Sequence, residues 1–205
     1  RCSRDWSSDV CSSDLPGAGD RLTTVVAAMD DREAVRRAAD EVLAAHPRLD
    51  VLVHNAGALA RDYAVSPMGV EVTAAAQVAG PFLLTGLLLD RLVASAGRVI
   101  TVSSGGAYVM PLTVAGLEPD PADFDGTRQY ARAKRAQITL TQLWAERTAG
   151  RSIAFHVMHP GWVDTPGLAA SLPRFRVVVG PLLRTPEEGA DTIAWLAADD
   201  AATNA

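Results

Sequence analysis

The sequence predicts a three-layer α/β domain with a doubly wound parallel sheet. Three observations predict it. Its strand-like runs are apolar throughout rather than alternating, as in strands buried on both faces. Segments of helical period separate those runs. Polar residues gather just after the runs, at Asn55–Gly57, Ser103–Ser104 and 159–165, where open parallel sheets bind ligands.

The elements follow in order. Residues 22–28 (LTTVVAA) are β-branched and apolar and predict a buried strand. Asp30 or Asp31 can cap the next helix, whose Val35, Ala38, Ala39, Val42 and Leu43 share one face. Residues 51–53 predict a short strand running into Asn55-Ala56-Gly57. A helix is expected over about 70–95, carrying Leu83, Leu84, Leu87, Leu88 and Leu92. Its most apolar stretch, 78–89, is shorter than the roughly 20 residues a membrane span needs, so it reads as a buried helix. Residues 98–103 (RVITVS) predict a strand, and 105–127 a long connection rich in Pro, Gly and Asp. The helix expected over 128–148 places Ala133, Ala136, Leu140 and Leu143 on one face, with Gly150 near its end. Residues 153–158 predict a strand stopped by Pro160-Gly161. A last helix, 185–198, opens with Thr-Pro-Glu-Glu, a good N-terminal signature. Trp144 and Trp195 fall on helices and are expected in the core.

The chain has 205 residues, 48% hydrophobic and 21% charged, which fits one globular domain and excludes a disordered chain or a disulfide scaffold. A net charge of −5 gives no footprint for nucleic acid. Residues 1–15 carry no apolar period and no signal-peptide core. From Asp5 they read DWSSDVCSSDL, which resembles the in-frame translation of a DNA sequencing-library adapter. The expectation is therefore a non-native segment at 1–15 and one domain at 16–205. Both cysteines, Cys2 and Cys11, lie in the first segment. Residues 16–205 then offer no disulfide or thiol nucleophile, and a reducing cytoplasm is the expected location.

The chemistry gathers on Ser104, Tyr130 and Lys134. Tyr130 and Lys134 are spaced i, i+4, so their side chains share a helix face with Cβ atoms about 5–6 Å apart. A lysine ammonium beside a phenol is expected to lower the tyrosine pKa from about 10 towards the working range. Tyr130 can then give a proton to a carbonyl or take one from an alcohol. Ser104, at a strand's carboxyl end, can hold the same oxygen. Such machinery moves a proton while a hydride moves elsewhere, and no side chain carries hydride, so a nicotinamide cofactor is implied.

Tyr-x-x-x-Lys alone is a weak signal, and its company in order strengthens it. Asn55-Ala56-Gly57 follows one strand, Val102-Ser103-Ser104 the next, Tyr130 to Lys134 opens the following helix, and Pro160-Gly161-Trp162-Val163-Asp164-Thr165 follows the strand after that. This order resembles the short-chain dehydrogenase/reductase family over roughly residues 19–198. The segments RVITVSSGGAYV, FDGTRQYARAKRAQ, MHPGWVDTPG and EEGADTIAWLA look most like its member 12 group, near the retinol-dehydrogenase-type branch. The resemblance implies an NAD(P)-binding Rossmann-like domain at 16–205, incomplete at both ends, from an NAD- or NADP-dependent oxidoreductase acting on a small-molecule alcohol or carbonyl. It implies Tyr130 as general acid/base and Lys134 as the residue that binds the nicotinamide ribose and tunes Tyr130. Ser104 rather than Ser103 would hold the substrate oxygen. Asn55, Ala56 and Gly57 would pack beside the adenosine half of the cofactor, and Pro160, Gly161, Val163 and Thr165 would line the nicotinamide pocket.

Departures from the family pattern define the rival reading, a non-catalytic Rossmann-like protein or an inactive fragment that binds no cofactor. The family's glycine-rich phosphate turn has only Pro16–Gly19 as a candidate, with no helix after it. Gln77 stands where the family places a helix asparagine, His54 where it has a first asparagine, and Ala28 where an acidic residue contacts adenine. A serine hydrolase is disfavoured because Ser103-Ser104-Gly105 lacks the leading glycine of a nucleophile elbow. No metal site is expected of His46, His54, His156 and His159, which lack helical pairing. Residues 167–183 are apolar apart from Arg174 and Arg176 and form the natural lid over a substrate. Their Leu168, Leu172 and Phe175 suggest a hydrophobic compound. Leu83 to Leu92 serves either a homo-oligomer interface or the core; no membrane span is expected.

Overall fold

A computed structural model describes residues 21–165, 168 and 177–204. Three parallel strands form its sheet: β1 (Val51–His54), β2 (Arg98–Val102) and β3 (Ala154–Met158), in the order β1-β2-β3. Val51 lies opposite Arg98, and Arg98 opposite Ala154, so the three carboxyl ends finish level. That alignment brings the segments after the strands together at one edge.

Helix α1 (Arg32–Ala45) starts where the sequence puts it. Asp31 accepts hydrogen bonds from the Glu33 and Ala34 amides at 2.8 and 3.2 Å, an N-cap. Val35 and Ala39 are buried, with Val42 and Leu43 packed beside the core. The next helix runs continuously over Val72–Ala94 as α2 (Val72–Ala74), a π turn (Ala75–Ala79) and α3 (Gly80–Ala94). By length and composition it is apolar enough to cross a membrane. Here its Leu88 and Leu92 are buried against Ala39 and Val99, with Leu84 and Leu87 alongside. Helix α4 (Gly126–Arg147) carries Tyr130 and Lys134, and Gly150, past its end, takes the left-handed φ of +83°. Ala133 and Ala136 are buried as expected, whereas Leu143, at the outer end of that face, is exposed. Helix α5 (Pro186–Ala198) opens with a capping box in which Thr185 and Glu188 satisfy each other's backbone amides.

The three layers are real. On one face of the sheet Val99, Leu52 and Phe155 pack under α1 and α3, and Thr101 meets Thr141 of α4 at 3.0 Å. On the other face Ile100, Val102 and Met158 pack against Leu196 and Ile193 of α5 and Ala202 beyond it.

Two expectations are corrected. Residues 22–28 form no strand, and Val26 is 80% exposed. A strand exists only through its ladder, and no described strand lies where these residues could pair. Trp195 is 44% exposed rather than core, because α5 turns Leu196 to the sheet instead. Trp144 is half-buried between Phe82 and Phe155, with ring centroids 5.1 and 6.0 Å away. Residues 1–15, the Pro16–Gly19 turn, and Leu172, Arg174, Phe175 and Arg176 of the expected lid lie outside the described residues.

Candidate active site

A cavity of about 390 Å³ opens at the carboxyl ends of the strands, within the roughly 300–1,000 Å³ typical of small-molecule sites. Ser104, Tyr130 and Lys134 all line it, as do Asn55, Gly57, Pro160, Gly161, Val163 and Thr165. Ala56, expected among the cofactor-binding residues, is not in its wall. Ala56 is exposed, between Asn55 and Gly57, which do reach the wall. Leu59, Trp162 and Leu168 add an apolar side to the chamber.

Strand β2 ends at Val102, and its carbonyl accepts a 2.8 Å hydrogen bond from Lys134 Nζ. The next residue, Ser103, is buried and donates to the Lys134 carbonyl at 3.3 Å, fastening α4 to the sheet. Ser104 turns to the cavity: its Oγ accepts the Gly106 amide at 3.4 Å, and its hydroxyl hydrogen-bonds Tyr130. Ser103 thus lies in the scaffold and Ser104 in the cavity wall.

The electrostatics differ from the expectation. Burial raises the Tyr130 pKa above its ordinary 10.0, and the bond from Ser104 only partly offsets this. Lys134 Nζ sits 5.6 Å from the centroid of the Tyr130 ring, tethered to the sheet rather than to the phenol oxygen. Its own pKa falls from 10.5 to about 8, because burial disfavours the ammonium. At neutral pH, Lys134 is therefore mainly a buried cation beside a neutral phenol.

His54, the last residue of β1, is buried with Nε2 2.7 Å from Thr85 Oγ1. Burial first, and the Lys134 charge second, lower its pKa from 6.5 to about 4. Between those values the folded chain holds His54 neutral while the unfolded chain protonates it. Stability therefore rises with pH through that window and is lost as pH falls from 6.5 to 4, by at most about 3 kcal/mol. His54→Asn, which does not titrate, is expected to lose less over the same range. Urea unfolding of both proteins checks this; parallel curves would count against it.

Gln77 occupies the π turn, and the sequence holds the reason. Pro81 has no amide to give to the carbonyl four residues back, which belongs to Gln77. The helix loosens there, with Gly80 bonding to Ala75, and Gln137 Nε2 donates to the freed Gln77 carbonyl at 2.6 Å. Gln77 Nε2 donates in turn to the Ala58 carbonyl at 2.6 Å, while its Oε1 is buried without a partner. A Cβ on Gly57 would lie 3.0 Å from that oxygen and 3.3 Å from Lys134 Nζ, so Gly57 keeps a cradle open beside the two groups. A proline inside a helical pattern was the available signal for this arrangement. His159 also lines the cavity, with its ring 3.2 Å from where a Gly105 Cβ would sit.

The segment after β3 is stapled. Gly161 takes a left-handed φ of +82°. Trp162 O accepts the Arg184 amide at 2.8 Å, Asp164 donates to Arg184 O at 2.9 Å, and the Arg184 side chain donates to Pro160 O at 3.2 Å. Val163 packs on Gly189, where an added Cβ would come within 2.6 Å. Among the described residues no group of three or more His, Cys, Asp or Glu could hold a metal ion.

A parallel sheet with a serine, a tyrosine and a lysine in one crevice at its carboxyl edge defines a site built for proton transfer to or from a bound oxygen. The chain belongs to the short chain dehydrogenase family, whose profile matches residues 7–174. Dehydrogenase/reductase SDR family member 12 of Bos taurus is 43% identical over 156 residues, covering 76% of this chain and 49% of the relative. Retinol dehydrogenase 14 of Mus musculus is 35% identical over 173 residues, 80% of this chain and 51% of the relative. The chain thus spans about half the length of these curated relatives. Among solved structures, a short chain dehydrogenase from Burkholderia cenocepacia in complex with NADP is 26% identical with a TM-score of 0.63, covering 83% of this chain and 67% of that one.

Proposed function

We propose that the chain carries the catalytic part of an NAD(P)-dependent oxidoreductase that interconverts a hydrophobic alcohol and its carbonyl compound. The observation that carries this reading is the meeting of Ser104, Tyr130 and Lys134 in one cavity with Gly57 and the Pro160–Thr165 turn. These residues fit the nicotinamide half of the cofactor: the cradle beside Gly57 faces a buried lysine and an unpartnered amide oxygen, and the chamber is of ligand size. Asn55, Gly57, Lys134, Pro160, Gly161, Val163 and Thr165 would hold it. When bound, the nicotinamide ring supplies or accepts the hydride. Tyr130 gives its phenolic proton to the carbonyl oxygen in reduction and recovers it in oxidation. Ser104 holds the same oxygen, and Lys134 keeps positive charge beside the reacting groups.

Leu59, Trp162 and Leu168 on the cavity wall, with relatives named retinol dehydrogenase, support a hydrophobic substrate. A cytoplasmic location is part of the same proposal, on the absence of cysteine from residues 16–205. So is the reading of Val72–Ala94 as a core helix rather than a membrane span. A homo-oligomer formed through this helix would use Phe82, Leu83 and Leu89, because Leu84, Leu87, Leu88 and Leu92 pack inside.

One observation favours the rival, non-catalytic reading: burial moves the Tyr130 pKa away from the working range. NADH and NADPH fluorescence titrations, followed by turnover assays on hydrophobic aldehydes and ketones, decide between them. The expected result is saturable binding of one cofactor and reduction of a carbonyl substrate. Folded protein that binds neither cofactor would leave the non-catalytic reading standing.

A further inference from the structure

We propose that Glu71 and Gln129 form a buried clamp that positions Tyr130. This rests on Tyr130 being the proton-transfer group. Tyr130 lies near the start of α4, where helices fray. Two residues that flank it are fastened to a single piece of chain. Gln129 Nε2 donates to the Leu117 carbonyl at 2.8 Å, and Arg132 Nη1 to the Gly116 carbonyl at 3.1 Å. The same Gln129 amide donates to Glu71 Oε2 at 2.9 Å. Both side chains of the Glu71–Gln129 pair are 0% exposed.

Glu71 has a second duty that explains its place but not its partner. Its carboxylate caps α2, accepting the Thr73 and Ala74 amides at 2.9 Å each. Capping needs no contact with α4. Glu71's own amide is held by the Glu118 carboxylate at 3.2 Å, which brings in the turn that receives Gln129. Gln129 spends both hydrogens of its amide on this junction and leaves its Oε1 buried with no partner. A buried orphan of this kind costs stability, so the fixed geometry of the junction is what the arrangement provides. The clamp joins the start of α2, the connection before α4 and the turn that carries the phenol. It is a positioning device: neither residue lines the cavity.

The test reads the phenol itself, by ultraviolet titration of tyrosinate, with Tyr130→Phe identifying the Tyr130 component. Glu71→Asp keeps a capping carboxylate but draws it back from Gln129, and Gln129→Leu removes the other half while leaving the cap whole. Each is expected to move the Tyr130 midpoint down by about 0.5 pH unit or more towards the ordinary tyrosine value, as the first turn opens to water. Leu196→Ala, on the far face of the sheet, controls for lost stability and is expected to leave the midpoint in place. An unmoved midpoint in folded Gln129→Leu, or an equal shift in Leu196→Ala, overturns the clamp. Turnover is not part of this readout, so a moved midpoint in a protein that reduces nothing would sink the proposed function and keep the clamp.

Discussion

Tyr130→Phe is expected to lower kcat for carbonyl reduction by about 10²–10⁴-fold while leaving the cofactor dissociation constant close to wild type. The substitution removes one oxygen and keeps the ring, so the cavity wall and the place of Lys134 are preserved. The two groups nearest the phenol are already engaged. Ser104 Oγ is held by the Gly106 amide, and Lys134 Nζ is tied to the Val102 carbonyl. The direction of the Tyr130 shift adds a pH prediction. A phenol whose pKa lies above 10.0 rests protonated at neutral pH, ready to act as an acid. Reduction should therefore show no loss from phenol deprotonation at neutral pH, and alcohol oxidation, which needs the phenolate, should climb towards alkaline pH. Turnover and binding measured on the same preparations check both statements. A wild-type kcat in Tyr130→Phe would remove Tyr130 from its role.

Gly126→Ala is expected to destabilise the fold by about 1–3 kcal/mol, although Gly→Ala inside a helix ordinarily gains up to about 1 kcal/mol. The sign reverses because a Cβ on Gly126 would lie 1.8 Å from the Ala60 carbonyl oxygen and 3.0 Å from its carbon. The obstacle is backbone, so the first turn of α4 must back away, taking Tyr130 with it. Gly86→Ala is the matched control. It sits in α3, where an added Cβ would meet only the Trp144 ring at 3.9 Å, and a small gain is expected. Urea unfolding of both variants gives the comparison; equal effects would show that the close approach at Ala60 does not matter.

The parts of the fold visible in the sequence were those whose signal is local. Asp31 caps α1 and Thr185-Pro186 opens α5 because capping is decided within four residues. Ser104, Tyr130 and Lys134 could be found because their motifs follow in order along the chain, the serine just after β2 and the tyrosine and lysine on the first turns of α4. Residues 22–28 misled because β-branched composition states a preference, while pairing needs a neighbour in space. Trp195 misled because a helix position does not say which face meets the sheet. The Tyr130 pKa went the other way because i, i+4 spacing places a lysine near the phenol but says nothing of how dry the crevice is. Glu71 and Gln129 left no signal at all: they lie far apart in sequence, and their direct contact exists only in the folded chain.

The Arg184 staple bears on how the chain tolerates insertions. Because Trp162, Asp164 and Pro160 are bonded directly to Arg184, the stretch 166–183 leaves and rejoins the domain at one fastened point. Closing an insert over a fixed stem costs little more as the insert lengthens. The sequence between the two ends can therefore change in length while the Pro160–Thr165 turn stays moored to Arg184.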